Sequence, residues 1–373
     1  MAKAGRHVSM GFDAAGRTAE IAAFLAQAGW GEAVQAPLGQ DASTRRYIRL
    51  HHPDGRKALL MDAPRIEADP CPPEADDATR IAMGWNASTR LAASRVDAFV
   101  LISDYLRAHG FRAPEVYAHD TARGFALIED FGDQMEIARQ IEAGRVDELT
   151  AYVAAAKLLA DLHGHPPPGI LTRGGEYWPV LEFDRLALAS NADLYADWLR
   201  AETGGGPLEG AERAEWEGAR DALIAQALAF PRTFTLRDYH AENLLWLGNG
   251  EIGLLDFQDA VHGWDAWDMA MLTQDARRAV SPEAAEAAIR AYLDGTGKSR
   301  EAFNERLAVI GALNALRIAG VFSRLQHRDG KPRYGQFQPR QFAILARNLS
   351  HPALKDMKSF VKRTTPFVFE GAE

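Results

Sequence analysis

The rhythm of apolar positions changes about a third of the way along this chain. Near the amino terminus Ile21, Phe24, Leu25 and Ala28 recur at helical spacing and Gly29 ends the run, which predicts a helix over 18–28. Short apolar runs of strand length follow at 33–38, 45–51 and 57–61, with a turn at His52-Pro53-Asp54-Gly55. An amphipathic segment over 93–109 stops at Gly110, and two further strands, 114–118 and 125–128, flank a turn at Thr121-Ala122-Arg123-Gly124. Beyond Gly132 the spacing is helical over 146–163, 180–200 and 208–230, then over 301–326 and 340–349. Another helix starts at Ser281-Pro282-Glu283, a cap followed by proline in the first turn. One β-like interruption breaks this region. Leu244 to Leu247 and Glu251 to Leu255 flank Gly248-Asn249-Gly250, and Asn-Gly between apolar runs is a strong hairpin signal. The pattern predicts an α+β chain: a β-rich lobe over 1–130, with a Pro/Asp-rich surface excursion near 63–78, then a mainly helical lobe over 131–373.

Composition narrows the class. The 373 residues are 47% hydrophobic and 25% charged, as in an ordinary globular protein. A net charge of −9 argues against a nucleic-acid partner. A lone cysteine, Cys71, permits no intrachain disulfide, and no uninterrupted apolar run approaches the length of a membrane span. The chain is therefore expected to be a cytoplasmic monomer, without membrane or nucleic-acid partners.

The hairpin matters because of what flanks it. Asp238 and Asn243 lie just before it, in Leu236-Arg237-Asp238-Tyr239-His240-Ala241-Glu242-Asn243, and Asp256 follows it in Leu254-Leu255-Asp256-Phe257-Gln258-Asp259. Folding the hairpin brings Asp256 beside Asn243. One acid is then free to act as a base, while an amide and a second acid can hold a hard cation. That is the layout phosphoryl transfer needs.

These two stretches, with Leu127-Ile128-Glu129-Asp130-Phe131-Gly132 upstream, resemble the aminoglycoside phosphotransferase and choline kinase superfamily, small-molecule kinases with a protein-kinase-like fold of two lobes. The likeness covers roughly residues 30–350. It implies Asp238 as the group that orients the acceptor hydroxyl and takes its proton, and Asn243 and Asp256 as ligands of Mg²⁺ on ATP. It implies that Glu129 and Phe131 contact adenine through their backbones, that Gly39, Ser43 and Thr44 cover the phosphates, and that Asp268 supports the catalytic loop. His240 braces that loop or faces substrate. Gln258, Asp259, Glu182 and Asp184 are further substrate candidates.

Two departures qualify the likeness. The third-strand lysine of the kinases is replaced by Met61, and Arg45 or Arg46 could supply the phosphate-binding charge from the second strand; strand alternation lets only one of them point at ATP, and Arg46 is favoured over the alternative that both are solvated edge charges. Leu236 and Arg237 stand where antibiotic kinases carry His and Gly, which points away from an antibiotic. Within the superfamily, the wording around Asp238, Asp41-Ala42-Ser43-Thr44-Arg45-Arg46-Tyr47-Ile48-Arg49 and Arg328-Asp329-Gly330-Lys331-Pro332 is most similar to bacterial kinases of cell-wall amino sugars. The resemblance thus implies an ATP-dependent kinase acting on the anomeric hydroxyl of an N-acetylhexosamine in cell-wall recycling. The alternatives are an aminoglycoside or choline-type phosphotransferase, and a weakly catalytic nucleotide-binding scaffold.

Overall fold

The computed structural model describes residues 14–39, 45–64, 72, 74–84 and 95–370. The chain divides into two compact units. One takes in Met1–Ile66, Ser94–Val96 and Pro114–Asp130; the other takes in Glu67–Ala93, Asp97–Ala113 and Phe131–Glu373.

The first unit is a five-stranded antiparallel sheet with a helix on one face. Strands β1 (Val34–Pro37), β2 (Arg46–His51), β3 (Lys57–Asp62), β4 (Val116–Asp120) and β5 (Phe125–Ile128) lie in the order β1-β2-β3-β5-β4. The helix Ala14–Gln27 packs Ile21, Phe24 and Leu25 onto Leu50, Ala58, Leu60, Phe125 and Leu127. Alternation along β2 and β3 separates two sets of side chains. Arg46 pairs with Asp62 and Leu50 with Ala58 on the helix-covered face; Tyr47 pairs with Met61 and Arg49 with Leu59 on the other.

That alternation corrects the expectation for Arg46. Its guanidinium does not share a face with Met61. It lies on the helix side, ion-paired to the fully buried Asp62, which Arg17 also grips at 3.0 Å through Nε and 2.5 Å through Nη2. Across the sheet, Arg49 holds Asp130 in a two-pronged contact of 2.6 and 3.0 Å. Gly39 is exposed; Ser43 and Thr44 lie outside the described residues.

The second unit is mostly helical: Asp77–Met83, Val96–Ala108 from Asp97 onward, Ile137–Glu142, Glu148–Leu162, Arg185–Trp198, Gly210–Leu228, Asp265–Thr273, Pro282–Thr296, Arg300–His327, Gln338–Asn348 and Lys355–Thr364. Three short two-stranded ladders punctuate it. They are β6 (Ile170–Arg173) with β7 (Glu176–Pro179), β8 (Thr233–Thr235) with β11 (Val261–Gly263), and β9 (Leu244–Gly248) with β10 (Glu251–Leu254). The sequence reading missed β6–β7, which turns through Gly174 and Gly175 at φ 54° and 93°. It also missed the Asp265–Thr273 helix, all nine of whose residues are buried, so no amphipathic period marks it.

Arg300–His327 organises the unit. It is, among the described residues, the one helix long and apolar enough to cross a membrane, but 78% of its most apolar stretch is buried against the protein. It is a core helix by that measure. It packs on Arg185–Trp198, and Gly320 permits the approach: a Cβ there would lie 2.2 Å from the Leu194 carbonyl.

Candidate active site

Residues 236–243 form the loop that runs from β8 into β9, and its geometry is set by what holds its backbone. The carboxylate of the fully buried Asp268, in the first turn of Asp265–Thr273, accepts from the amides of Leu236 and Arg237, each at 2.8 Å. A carboxylate taking two backbone amides makes strong charge-assisted bonds. The buried Trp267 indole donates to the Arg237 carbonyl at 3.2 Å. The Tyr239 hydroxyl, also buried, donates to the Ala155 carbonyl at 2.8 Å and pins the loop to the Glu148–Leu162 helix. Burial, with the Asp268 charge nearby, pushes the Tyr239 hydroxyl well above its ordinary pKa, so it stays a donor. Arg237 sits at φ 74°, in the left-handed region that glycine takes freely.

Asp238 follows that kink, half-buried. The Asn243 amide nitrogen donates back to the Asp238 carbonyl at 3.0 Å and lies 3.3 Å from His240 Nε2. His240 is buried, and its Nδ1 has no hydrogen-bond partner. Burial, then the Arg277 cation, lowers its pKa, so the ring is neutral at pH 7.

The hairpin brings the second acid to this loop. Leu244 pairs with Leu254, the Leu255 amide donates to the Asn243 carbonyl at 2.9 Å, and the chain leaves through Asp256 at φ 54°. The turn runs through Asn249 and Gly250 at φ 52° and 82°, the left-handed pair an Asn-Gly hairpin uses. Gln258 donates to Asp256 Oδ1 at 2.8 Å, while its own Oε1 is buried without a partner. Phe257, fully buried, stacks on Phe99 with ring centroids 4.9 Å apart, so the Val96–Ala108 helix backs this segment.

The donor set at the hairpin suits a hard cation. With the Asn243 nitrogen turned onto Asp238, its Oδ1 is the free end of the amide, and Asp256 supplies a carboxylate at the neighbouring chain position. Mg²⁺ favours such oxygen ligands and keeps several waters, so an amide and one carboxylate suffice.

The remaining expected residues have the following neighbours. Asp259 lies 3.9 Å from the Arg237 guanidinium. Glu182 pairs with His262 at 3.0 Å. Asp184 caps the Arg185–Trp198 helix, accepting from the Ala187 amide at 2.9 Å, and is gripped at 2.7 and 3.1 Å by the buried Arg80. These bonds make Asp184 part of the scaffold rather than a group free for substrate. Glu129 donates its amide to the Glu115 carbonyl at 2.8 Å in the sheet unit, and Phe131 lies under the Arg112 guanidinium at 4.6 Å in the helical one. Sequence reasoning missed Arg317, which lies beside Trp267 with its guanidinium carbon 5.7 Å from the ring. Its place on the long helix gave no motif to find it by.

Fold and loop together define a class. Residues 34–303 match the phosphotransferase enzyme family, and the chain belongs to it. It is 44% identical to a kinase of Caulobacter vibrioides named for N-acetylmuramate and N-acetylglucosamine, over 94% of this chain and 97% of that one. A Pseudomonas aeruginosa kinase of the same name is 32% identical over 86% of each chain. Among solved structures, a choline/ethanolamine kinase family protein from Mesorhizobium loti shares the fold with a TM-score of 0.54, covering 93% of this chain and 99% of that one at 18% identity. An ADP-bound aminoglycoside phosphotransferase gives 0.53 over 90% and 99% at 12% identity.

Proposed function

We propose that the protein transfers the γ-phosphoryl group of ATP to the anomeric hydroxyl of an N-acetylhexosamine, N-acetylmuramate or N-acetylglucosamine, in the recycling of cell-wall sugars in the cytoplasm. The observation that carries the chemistry is the 236–243 loop: an acid held on a backbone that Asp268 and Tyr239 fix, with an amide and a second acid beside it. The likeness to the Caulobacter kinase supports the acceptor class.

In this reading Asp238 accepts a hydrogen bond from the acceptor hydroxyl and turns its oxygen toward the γ-phosphorus. As the new P–O bond forms and ADP leaves, the hydroxyl proton passes to the Asp238 carboxylate. Asn243 and Asp256 would hold Mg²⁺, which would neutralise charge on the triphosphate. Asp268 touches no reactant; it keeps the loop aimed by taking the Leu236 and Arg237 amides. Nucleotide contacts for Gly39, Ser43, Thr44, Glu129 and Phe131 belong to the same proposal and rest on the resemblance.

The test is an acceptor panel. The protein is incubated with Mg-ATP and, separately, N-acetylmuramate, N-acetylglucosamine, kanamycin or choline, and ADP is measured. Release with the two sugars and background with the others is expected; release with kanamycin or choline in place of the sugars would refute the assignment. Tight ATP binding without release on any acceptor would favour a nucleotide-binding scaffold.

A further inference from the structure

Most arginines of the helical unit face an acid: Arg80 meets Asp184, Arg220 meets Asp193, Arg185 meets Asp221 and Arg363 meets Glu215. Arg317 does not. On the long Arg300–His327 helix, its Nε and Nη2 donate to the neutral Asn314 Oδ1 at 3.1 and 3.0 Å. Among the described residues no carboxylate stands within ion-pairing distance of it. The side chain is half-buried beside the Trp267 ring, and Trp267 in turn donates to the Arg237 carbonyl, so the guanidinium is one indole away from the Asp238 loop.

Burial draws Arg317 down to about 10, Asp238 opposes the shift, and Arg237 and Arg277 add to it. It remains a cation at neutral pH. Arg277 is turned to Glu242 at 3.4 Å and Asp275 at 3.5 Å, and Arg237 to Asp259 at 3.9 Å. Arg317's hydrogen-bond partner is neutral and the charge of Asp238 acts on it without an ion-pair contact, so a ligand carboxylate would give the guanidinium a direct partner. The guanidinium fork suits a carboxylate.

The two sugars in the proposed function differ in this respect. N-acetylmuramate carries a lactyl ether ending in a carboxylate; N-acetylglucosamine is neutral. We propose that Arg317 binds the lactyl carboxylate while the anomeric hydroxyl faces Asp238, making Arg317 the residue that favours the acidic sugar over the neutral one. The inference rests on the amino-sugar reading of the site.

The experiment measures kcat/KM with Mg-ATP on three acceptors: N-acetylmuramate, the same sugar with its carboxylate capped as an amide, and N-acetylglucosamine. Arg317→Gln is expected to lower the ratio of N-acetylmuramate to N-acetylglucosamine turnover by about 10- to 100-fold, the loss of one charge-assisted contact. Wild-type protein should lose a similar factor on the amide, and the variant should lose nothing further on it. Equal losses on both sugars would overturn the proposal, because they would mean that Arg317 serves the phosphoryl group or the loop. Should the variant be inert on everything, the wild-type comparison of acid and amide decides alone: equal use of the two overturns it. Wild-type protein that phosphorylates neither sugar overturns the amino-sugar reading, and this inference with it.

Discussion

Arg46 in the sheet unit and Arg317 in the helical unit carry the same charge in opposite circumstances. Arg46 shares the buried Asp62 with Arg17, and a second arginine of the sheet, Arg49, is clasped by Asp130. These cations are matched by acids of their own unit, and the pairs fasten a strand to a helix and one strand to the chain beyond another. Arg317 has an amide and an aromatic ring for company. The loop beside it shows the same difference on the acid side. Asp268 is consumed by two backbone amides, while Asp238, three positions after the end of β8, is held by its backbone and keeps its side chain half-exposed. Matched charges build the scaffold here; Asp238 and Arg317, which make no ion pair among the described residues, are the groups that the proposed function gives to the reactants.

The comparison breaks first at Asp238. Asp238→Asn keeps the shape and removes the base, and kcat on the preferred sugar should fall by at least ~100-fold with the melting temperature little changed. Full activity would remove Asp238 from the mechanism. The converse holds for Asp62. Asp62→Asn leaves two arginines without their acid and should cost about 3 kcal/mol in denaturant unfolding, toward the low end for a buried pair because Arg46 is partly exposed. Turnover per folded molecule should stay near wild type; a selective loss of turnover would move Asp62 from scaffold to site.

Asp268→Asn lies between these two. It replaces an acceptor of two amides with a group that accepts one, which should cost about 1–3 kcal/mol and lower kcat without changing KM for ATP. Unchanged stability would show that the Leu236 and Arg237 amides find other partners. The smallest effect concerns pH. His240 has a pKa lowered by burial and then by Arg277, so the unfolded chain binds a proton that the folded one refuses. Its contribution to stability is complete above the unfolded pKa, ~6.5, and is lost as the pH falls from there to the folded value. Melting curves from pH 8 to pH 5 should show this decline, and His240→Gln should flatten it; an equal decline in the variant would assign the effect to other groups.

Much of this was legible in the sequence because the signals were local. Five strand-length apolar runs became β1 to β5, and Asn249-Gly250 fixed the hairpin that sets Asp256 beside Asn243. What escaped depended on neighbours distant in sequence. Arg46 was assigned to the phosphates because alternation leaves open which face is covered; the helix that covers it lies some twenty residues earlier, and Arg17 comes from that helix. Asp184 looked like a free acid until Arg80, 104 positions away, met it. Arg317 was invisible for the same reason in reverse: a missing partner leaves no mark in a sequence.

The central claim is tested most directly by the identity of the product. The protein, Mg-ATP and N-acetylmuramate are allowed to react, and the phosphorylated sugar is examined by phosphorus NMR with coupling to the sugar protons. The account predicts a phosphoryl signal coupled to the anomeric proton, formed by the wild type and nearly absent with Asp238→Asn. A phosphate on another hydroxyl, no phosphosugar, or the same product at the same rate from the variant would contradict it.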